Sequence, residues 1–324
     1  MTHQVTYIPG DYTGEAIGPA VRGLIAATGT HVSWDTQVLP ADKIPDALVS
    51  SIRNNKTALM GFQHAWRDDK RHPPIVDLRK ALGMYANIRP VRTLHGVPTR
   101  HEDLDLVIVR EVTEDIYAHL EHESIPGVFE SLKVTTRPAC ERIARFAFEY
   151  ARNNGRKKVT IVHKANIMKK SDGLFLKAAR DIATEYPDIQ TDDVIVDALC
   201  MKLVIQPYKF DVLVSGNLYG DILSDLCAGL AGGTSNCPSI NVGPDVRIFA
   251  SPHGDPSGLP STQHGNLLAL LLPACELLKH LGEASAAERL WTATESVLVS
   301  GVRPYAIGGT AGVEELAAKI RAAL

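Results

Sequence analysis

Short apolar, β-branched runs alternate with longer segments of helical spacing along this chain, and that alternation most limits what it can fold into. Val5-Thr6-Tyr7-Ile8 is one such run, ended by Pro9-Gly10. Residues 57–60, 106–109, 157–162 and 210–214 repeat the pattern. Between and after them lie helical stretches. Residues 17–28 have helical spacing with Gly29 as the stop, and residues 140–153 place Ile143, Ala144, Ala147 and Tyr150 on one face before Gly155. A further helix is expected over 172–186, and residues 267–324 are mostly helical with a break at 301–312. Strands alternating with helices predict an α/β architecture. At 324 residues the chain can hold two domains or one large interrupted one. No linker stretch separates two halves, which suits a chain that passes between domains more than once.

Composition narrows the partners. Hydrophobic residues make up 45% and charged residues 22%, ordinary for a globular protein, and the net charge of −3 provides no general attraction to nucleic acid or to an acidic membrane. The five cysteines (Cys140, Cys200, Cys227, Cys237, Cys275) are odd in number and lack C-x-x-C spacing. They read as reduced thiols, so neither a disulfide framework nor a zinc site is expected. With no signal-like start and no apolar run long enough to span a bilayer, the expected location is cytoplasmic. Gly10-Asp11-Tyr12-Thr13-Gly14 lacks the G-x-G-x-x-G spacing of an ordinary Rossmann turn, and the Walker A pattern is absent.

The chemistry concentrates in Asn217-Leu218-Tyr219-Gly220-Asp221-Ile222-Leu223-Ser224-Asp225. Four residues apart, Asp221 and Asp225 share one helix face and repel unless a cation sits between them. Such a pair often belongs to a solvated helix face. Here it follows an apolar strand and precedes a run of small residues, which favours a hard divalent ion held by oxygen ligands. Asp197, inside the apolar run Ile195-Val196-Asp197-Ala198, reads as a buried carboxylate and a third metal ligand. Arg79, Arg89 and Arg110 stand near expected element ends, and three converging guanidinium forks would suit a polycarboxylate. Taken singly, each is ordinarily a surface ion-pair residue. Tyr117 could donate a proton and Lys164, directly after a strand, could act as a base, although lone residues of either kind are usually structural or solvated.

Taken in order, these residues resemble the isocitrate and isopropylmalate dehydrogenase family of β-decarboxylating dehydrogenases. The resemblance runs through Ile8-Pro9-Gly10-Asp11, Leu78-Arg79-Lys80, Tyr85-Ala86-Asn87-Ile88-Arg89-Pro90, Glu114-Asp115-Ile116-Tyr117, the segment His163 to Lys169 and the Asn-Leu-Tyr-Gly-Asp run. Leu120-Glu121-His122-Glu123 is most similar to the NAD-type isocitrate branch. The resemblance implies a two-domain, non-Rossmann α/β fold working as a homodimer with shared active sites. Residues 1–85 and 235–324 would form a large cofactor-binding domain, and 86–234 a small domain carrying the dimer interface and the metal ligands. It further implies that Arg79, Arg89 and Arg110, with Ile75, bind substrate. Asp221 and Asp225 of one subunit and Asp197 of the other would hold Mg²⁺ or Mn²⁺. Lys164 of the partner would help deprotonate the substrate hydroxyl, and Tyr117 would protonate the enolate. Asn166, His253, Gly254, Gly258, Leu259 and Asn266 would meet NAD or NADP.

The chain departs from the family pattern at four places. Extra residues stand within Tyr12–Ala16 of the first turn. Where isocitrate enzymes carry a small-residue loop ending in Ser and Asn, this chain has Pro73 and Ile75, after the cationic run Lys70-Arg71-His72. Val112 replaces an Asn, and Gly258 stands where an Asp would select NAD or a Lys NADP. The expected activity is therefore metal-dependent, NAD(P)-linked oxidative decarboxylation of a 3-substituted malate. The substrate is isocitrate or an analogue such as homoisocitrate, an alkylmalate or a phosphonomethylmalate. An isopropylmalate-type dehydrogenase, or a non-catalytic regulatory subunit, is the alternative.

Overall fold

The computed structural model describes residues 2–40, 43–63, 74–252, 259 and 261–324. The chain opens with β1 (His3–Ile8), α1 (Gly14–Ala27), β2 (Val32–Thr36), α2 (Asp46–Asn55), β3 (Thr57–Met60) and α3 (Pro74–Ala81). It continues through β4 (Ala86–Arg92), β5 (Asp105–Glu111), β6 (Glu121–Ile125), β7 (Val128–Ser131), α4 (Arg137–Asn153) and β8 (Lys158–His163). Next come α5 (Ser171–Ala183), β9 (Gln190–Ile195), α6 (Val196–Ile205), β10 (Val212–Ser215) and α7 (Asn217–Leu230). Last are β11 (Ser239–Val242), β12 (Arg247–Ala250), α8 (Leu268–His280), α9 (Ala284–Val299) and α10 (Val313–Ala323). Contacts divide the chain into two compact units, one of Met1–Met84, Thr93–Glu102 and Ala231–Leu324, the other of Tyr85–Arg92 and Asp103–Leu230. The alternation of strands and helices read from the sequence is the α/β fold observed.

In the first unit, strands run in the order β2-β1-β3-β12-β11, parallel except where β11 meets β12. Its core joins Ile8, Leu48, Ile52, Met60, Leu78 and Ile248, all at most 3% exposed. Parallel strands covered on both faces must be apolar throughout, which is why β3 reads Thr-Ala-Leu-Met without alternation. The turn after β1 packs tightly: a Cβ on Gly61 would stand 2.4 Å from the backbone nitrogen of Gly10. Glycine is required there for the two backbones to approach.

In the second unit the order is β4-β5-β10-β8-β9, with β4 antiparallel to β5 and the rest parallel. Because β5, β10 and β8 run the same way, their C-terminal ends share one edge, and Arg110 and Ser215 are register partners. Loops leaving such an edge are where α/β proteins build their sites. A separate two-stranded hairpin, β6-β7, stands out with every residue exposed, including Ile125 and Phe129.

Several boundaries differ from the sequence reading for identifiable reasons. Helix α4 begins at Arg137, ahead of residue 140, because Thr136 caps it and Pro138 sits in the first turn, where its missing N–H costs nothing. Strands β2, β9, β11 and β12 carry mixed or very short apolar runs and left no clear signal. The apolar run around Asp197 is not one buried element. It is the junction of β9 and α6, and the helix turns the Asp197 side chain outward to 67% exposure. The expectation of a buried Asp197 is therefore corrected. Among the described residues, no helix is long and apolar enough to cross a membrane.

Candidate active site

The C-terminal edge of β5, β10 and β8 gathers most of the singled-out residues of the second unit. Arg110, next to last in β5, has its side chain 6% exposed, so it is no surface ion-pair residue. Its Nε and Nη2 both donate to Asn217 Oδ1, at 2.9 and 2.7 Å, and Nη1 donates to Asp221. Tyr117 lies on a short turn after β5 and donates its hydroxyl to the other oxygen of Asp221 at 2.5 Å. The guanidinium carbon of Arg110 stands 5.1 Å from the centre of the Tyr117 ring. Arg110, Asn217, Tyr117 and Asp221 therefore form one interlocked group. Burial first, and then the hydrogen bond to Asp221, push the Tyr117 hydroxyl up to about 12, while Arg110 pulls the other way.

One helical turn on, Asp225 lies on the same face of α7, and Arg89 Nη2 of the buried strand β4 stands 4.0 Å from it. Gly220 makes this packing possible, because a Cβ there would meet the Arg110 side chain at 2.6 Å. Asn217 belongs to the motif singled out from the sequence, yet its task of gripping Arg110 was not anticipated there. Spacing alone does not reveal which strand lies alongside α7.

Lys164 and Asp197 form a second group in the same unit. Lys164 Nζ stands 2.5 Å from Asp197 Oδ1, and that ammonium holds the Asp197 carboxyl below the usual carboxylate range. The turn carrying Lys164 is fixed from both sides. Its own N–H donates to Asp172 at 2.7 Å, and Ala165 N–H donates to His163 Nδ1 at 3.0 Å. His163 Nε2 in turn reaches Asp193 at 3.1 Å. Asn166 is exposed on the same turn. Among the described residues, no three His, Cys, Asp or Glu side chains are grouped to hold a metal ion. One chain thus presents Asp221 with Asp225 in one place and Asp197 with Lys164 in another.

In the first unit, Arg79 lies in the last turn of α3 and donates from Nε to Asn241 at 2.8 Å. Ile75, on the same helix, packs partly buried against the apolar core. Leu259 and Asn266 line a pocket with Thr13, Gly14, Gly61 and Phe62. Asn266 Oδ1 also accepts from Leu268 N–H at 3.1 Å, just ahead of α8. Of the stretch Tyr12–Ala16, Gly14, Glu15 and Ala16 already belong to the first turn of α1. His253, Gly254 and Gly258, and the run Lys70-Arg71-His72-Pro73, lie outside the described residues.

Both implied groups find fitting surroundings. Asp221 and Asp225 are hard oxygen donors, 44% and 54% exposed on one helix face, which suits a divalent ion that prefers oxygen. The first-unit pocket joins apolar walls to a few polar groups, and its glycines let backbone come close, which suits a nucleotide base and sugar.

A fold with paired carboxylates and a buried arginine at the strand ends defines a class, and sequence comparison gives it a family. The family model for isocitrate/isopropylmalate dehydrogenase matches residues 4–320, so the chain belongs to that family. It is 42% identical over 307 residues to a Drosophila melanogaster protein named probable NAD isocitrate dehydrogenase subunit alpha, mitochondrial, spanning 93% of this chain and 81% of that one. It is also 42% identical over 321 residues to an Arabidopsis thaliana mitochondrial NAD isocitrate dehydrogenase regulatory subunit, covering 96% and 87%. The crystal structure of isocitrate dehydrogenase from Methylococcus capsulatus matches with a TM-score of 0.91 at 42% identity, over 99% of both chains.

Proposed function

We infer that this chain is a metal-dependent, NAD(P)-linked dehydrogenase that oxidises and decarboxylates a 3-substituted malate. The observation that carries this reading is the interlocked group of Arg110, Asn217, Tyr117 and Asp221 beside Asp225. A phenol hydroxyl, a guanidinium fork and a pair of carboxylates meet there at one sheet edge, which suits proton donation, carboxylate binding and metal binding. Mg²⁺ or Mn²⁺, held by Asp221 and Asp225 with Asp197 of a second copy, would supply Lewis acidity toward the hydroxyl and its neighbouring carboxylate. Arg110 and Arg89 bind substrate carboxylates at this edge, and Arg79 and Ile75 are the further substrate-binding residues that the family resemblance implies. Lys164 of the partner helps remove the hydroxyl proton, and a bound nicotinamide would supply the acceptor for the hydride from C2. Loss of carbon dioxide from C3 leaves an enolate, and Tyr117 delivers the proton that converts it to the 2-oxo acid. Leu259 and Asn266 bind the nucleotide in the first-unit pocket, and Asn166, His253, Gly254 and Gly258 are the further nucleotide-binding residues that the family resemblance implies.

The second copy is supported by Asp197 pairing with Lys164 and not grouping with Asp221 and Asp225, and by the exposed hairpin. Ile125, Val128 and Phe129 are 43–68% exposed there, with Leu120 and Leu132 beside them. Such a patch is ordinarily covered. The substrate is isocitrate or a relative, with 3-isopropylmalate the alternative that the apolar Ile75 favours.

Turnover of the purified chain with Mg²⁺ tests both levels of the reading. The panel is isocitrate, homoisocitrate, 3-isopropylmalate and phosphonomethylmalate, each with NAD and NADP. Reduced nicotinamide and carbon dioxide in equal amounts from at least one substrate is the expected result. Activity on 3-isopropylmalate alone would remove the tricarboxylate version. A chain inert on the whole panel that instead stimulates a catalytic partner would be a regulatory subunit.

A further inference from the structure

Lys133 lies outside every role assigned so far, yet it joins two deeply buried carboxylates of the second unit. It follows the exposed hairpin, and its side chain is 17% exposed. Nζ stands 2.8 Å from Asp115 Oδ1 and 3.6 Å from Asp172 Oδ1, and 5.2 Å from the centre of the Tyr219 ring. Asp115 and Asp172 are 2% and 3% exposed, so their oxygens find partners within the protein and not in water. Burial, and then these two carboxylates, drive the Tyr219 hydroxyl well above its usual range, so it faces the cluster as a neutral phenol.

Each carboxylate that Lys133 touches also holds backbone. Asp115 accepts from Ile116 N–H at 2.9 Å, at the start of the Tyr117 turn, and from Leu218 N–H at 3.1 Å, beside Asn217. Asp172 accepts from Lys164 N–H at 2.7 Å. Asp115 itself sits at φ +76°, ψ −153°, a region that L-residues enter only when their surroundings compel it. The compulsion is visible. Asp115 N–H donates to Val134 carbonyl at 3.0 Å, so the residue after Lys133 grips the backbone whose side chain Lys133 grips.

We propose that Lys133 is a positioning residue: its ammonium, bridging Asp115 and Asp172, sets the Tyr117 turn, the start of α7 and the Lys164 turn in one fixed arrangement. It touches no substrate in this role. It acts through Asp115 on Tyr117 and Asn217, and through Asp172 on Lys164. The proposal rests on the assignment of Tyr117 and Lys164 as proton-transfer groups, but the geometry it claims can be read without turnover.

The test compares wild type, Lys133→Met and Lys133→Arg by amide hydrogen exchange and by steady-state kinetics. In Lys133→Met, exchange at Ile116, Leu218 and Lys164 speeds up by about tenfold or more, while Val109 and Val214 in the strands change little. Its kcat falls about tenfold to a hundredfold with the nicotinamide KM unchanged, and Lys133→Arg recovers most of both losses. Unchanged exchange at the three amides overturns the proposal, as does loosening spread equally over the strands. Failure of Lys133→Arg to recover either quantity overturns it too. Should Lys133→Met not fold, Lys133→Gln undergoes the same comparison with the same outcomes. Wild type inert on every substrate would remove the functional reading, and the exchange pattern would still decide the role of Lys133.

Discussion

At the scale of single residues, environment separates groups that look alike in sequence. Arg89 and Arg110 are 8% and 6% exposed along their side chains, whereas Arg145 and Arg152 pair with carboxylates at the surface at more than 40%. An arginine that stays buried needs a fixed set of acceptors, and Arg110 has one in Asn217 and Asp221. Replacing its fork by a lysine keeps the charge but loses the two-pronged grip. Arg110→Lys is therefore expected to raise the substrate KM about tenfold or more, corresponding to about 1.4 kcal/mol, with a smaller effect on the nicotinamide KM. Steady-state kinetics on the substrate found by the panel would check this, and an unchanged KM would remove Arg110 from substrate binding. Tyr117→Phe keeps the ring on which Arg110 rests and deletes only the hydroxyl. The expected loss is about a hundredfold to ten-thousandfold in kcat, the usual worth of a positioned proton donor. A kcat within a factor of two of wild type would assign the final protonation to another group.

At the scale of elements, α7 shows how a helix is tuned to its neighbours. Two of its glycines stand nine residues apart in different surroundings. A Cβ on Gly220 would strike Arg110 at 2.6 Å and Ser215 Oγ at 2.9 Å, whereas a Cβ on Gly229 would meet nothing within 4 Å. Helix propensity favours alanine over glycine by about 1 kcal/mol at either position. At Gly229 that preference stands unopposed, and Gly229→Ala should raise the melting temperature with kinetics unchanged. At Gly220 the clash costs about 1–3 kcal/mol and displaces the arginine, so Gly220→Ala should lower the melting temperature and raise the substrate KM. Thermal melts of the two variants side by side are the check. Equal stabilisation by both would mean that α7 does not press on β5. The same reasoning explains which elements were legible in advance. Helix α4 buries Ile143, Ala144, Ala147 and Phe148 along one face, and β10 reads Val-Leu-Val-Ser without interruption. Strand β2 has no fully buried residue and β9 only one, and neither was anticipated.

At the scale of the whole molecule, the proposed reaction needs a cation and a second copy of the chain. Removing divalent ions with a chelator should abolish turnover and leave far-UV circular dichroism unchanged, because the strands and helices rest on apolar cores. Mg²⁺ or Mn²⁺ should restore activity. If each site takes Tyr117 from one subunit and Lys164 from the other, two inactive variants can rescue each other. Tyr117→Phe mixed with Lys164→Met gives hybrid dimers in which both lesions fall in one site and the other site is intact. Unfolding and refolding equal amounts together should recover about a quarter of wild-type activity, because half the dimers are hybrid and each has one working site. No recovery, with dimers confirmed by sedimentation, would place both residues in the same site of a single subunit.

The sequence by itself determined the α/β class, the family, and the identity of nearly every residue brought to the sheet edge of the second unit. These are properties of local pattern: strand runs and helical spacing are set by side chains a few positions apart, and Asp221 and Asp225 share a face because a helix repeats every 3.6 residues. The tertiary structure decided the rest, because partnership between distant segments is a matter of strand order and of which side chain is buried. Strand order placed Ser215 beside Arg110 and so brought Asn217 and Asp221 to a guanidinium more than a hundred residues away. It turned Asp197 outward, where an apolar stretch had suggested burial, because β9 ends and α6 begins within that stretch. It also brought Lys133, which no motif marks, to two buried carboxylates that only the fold places side by side.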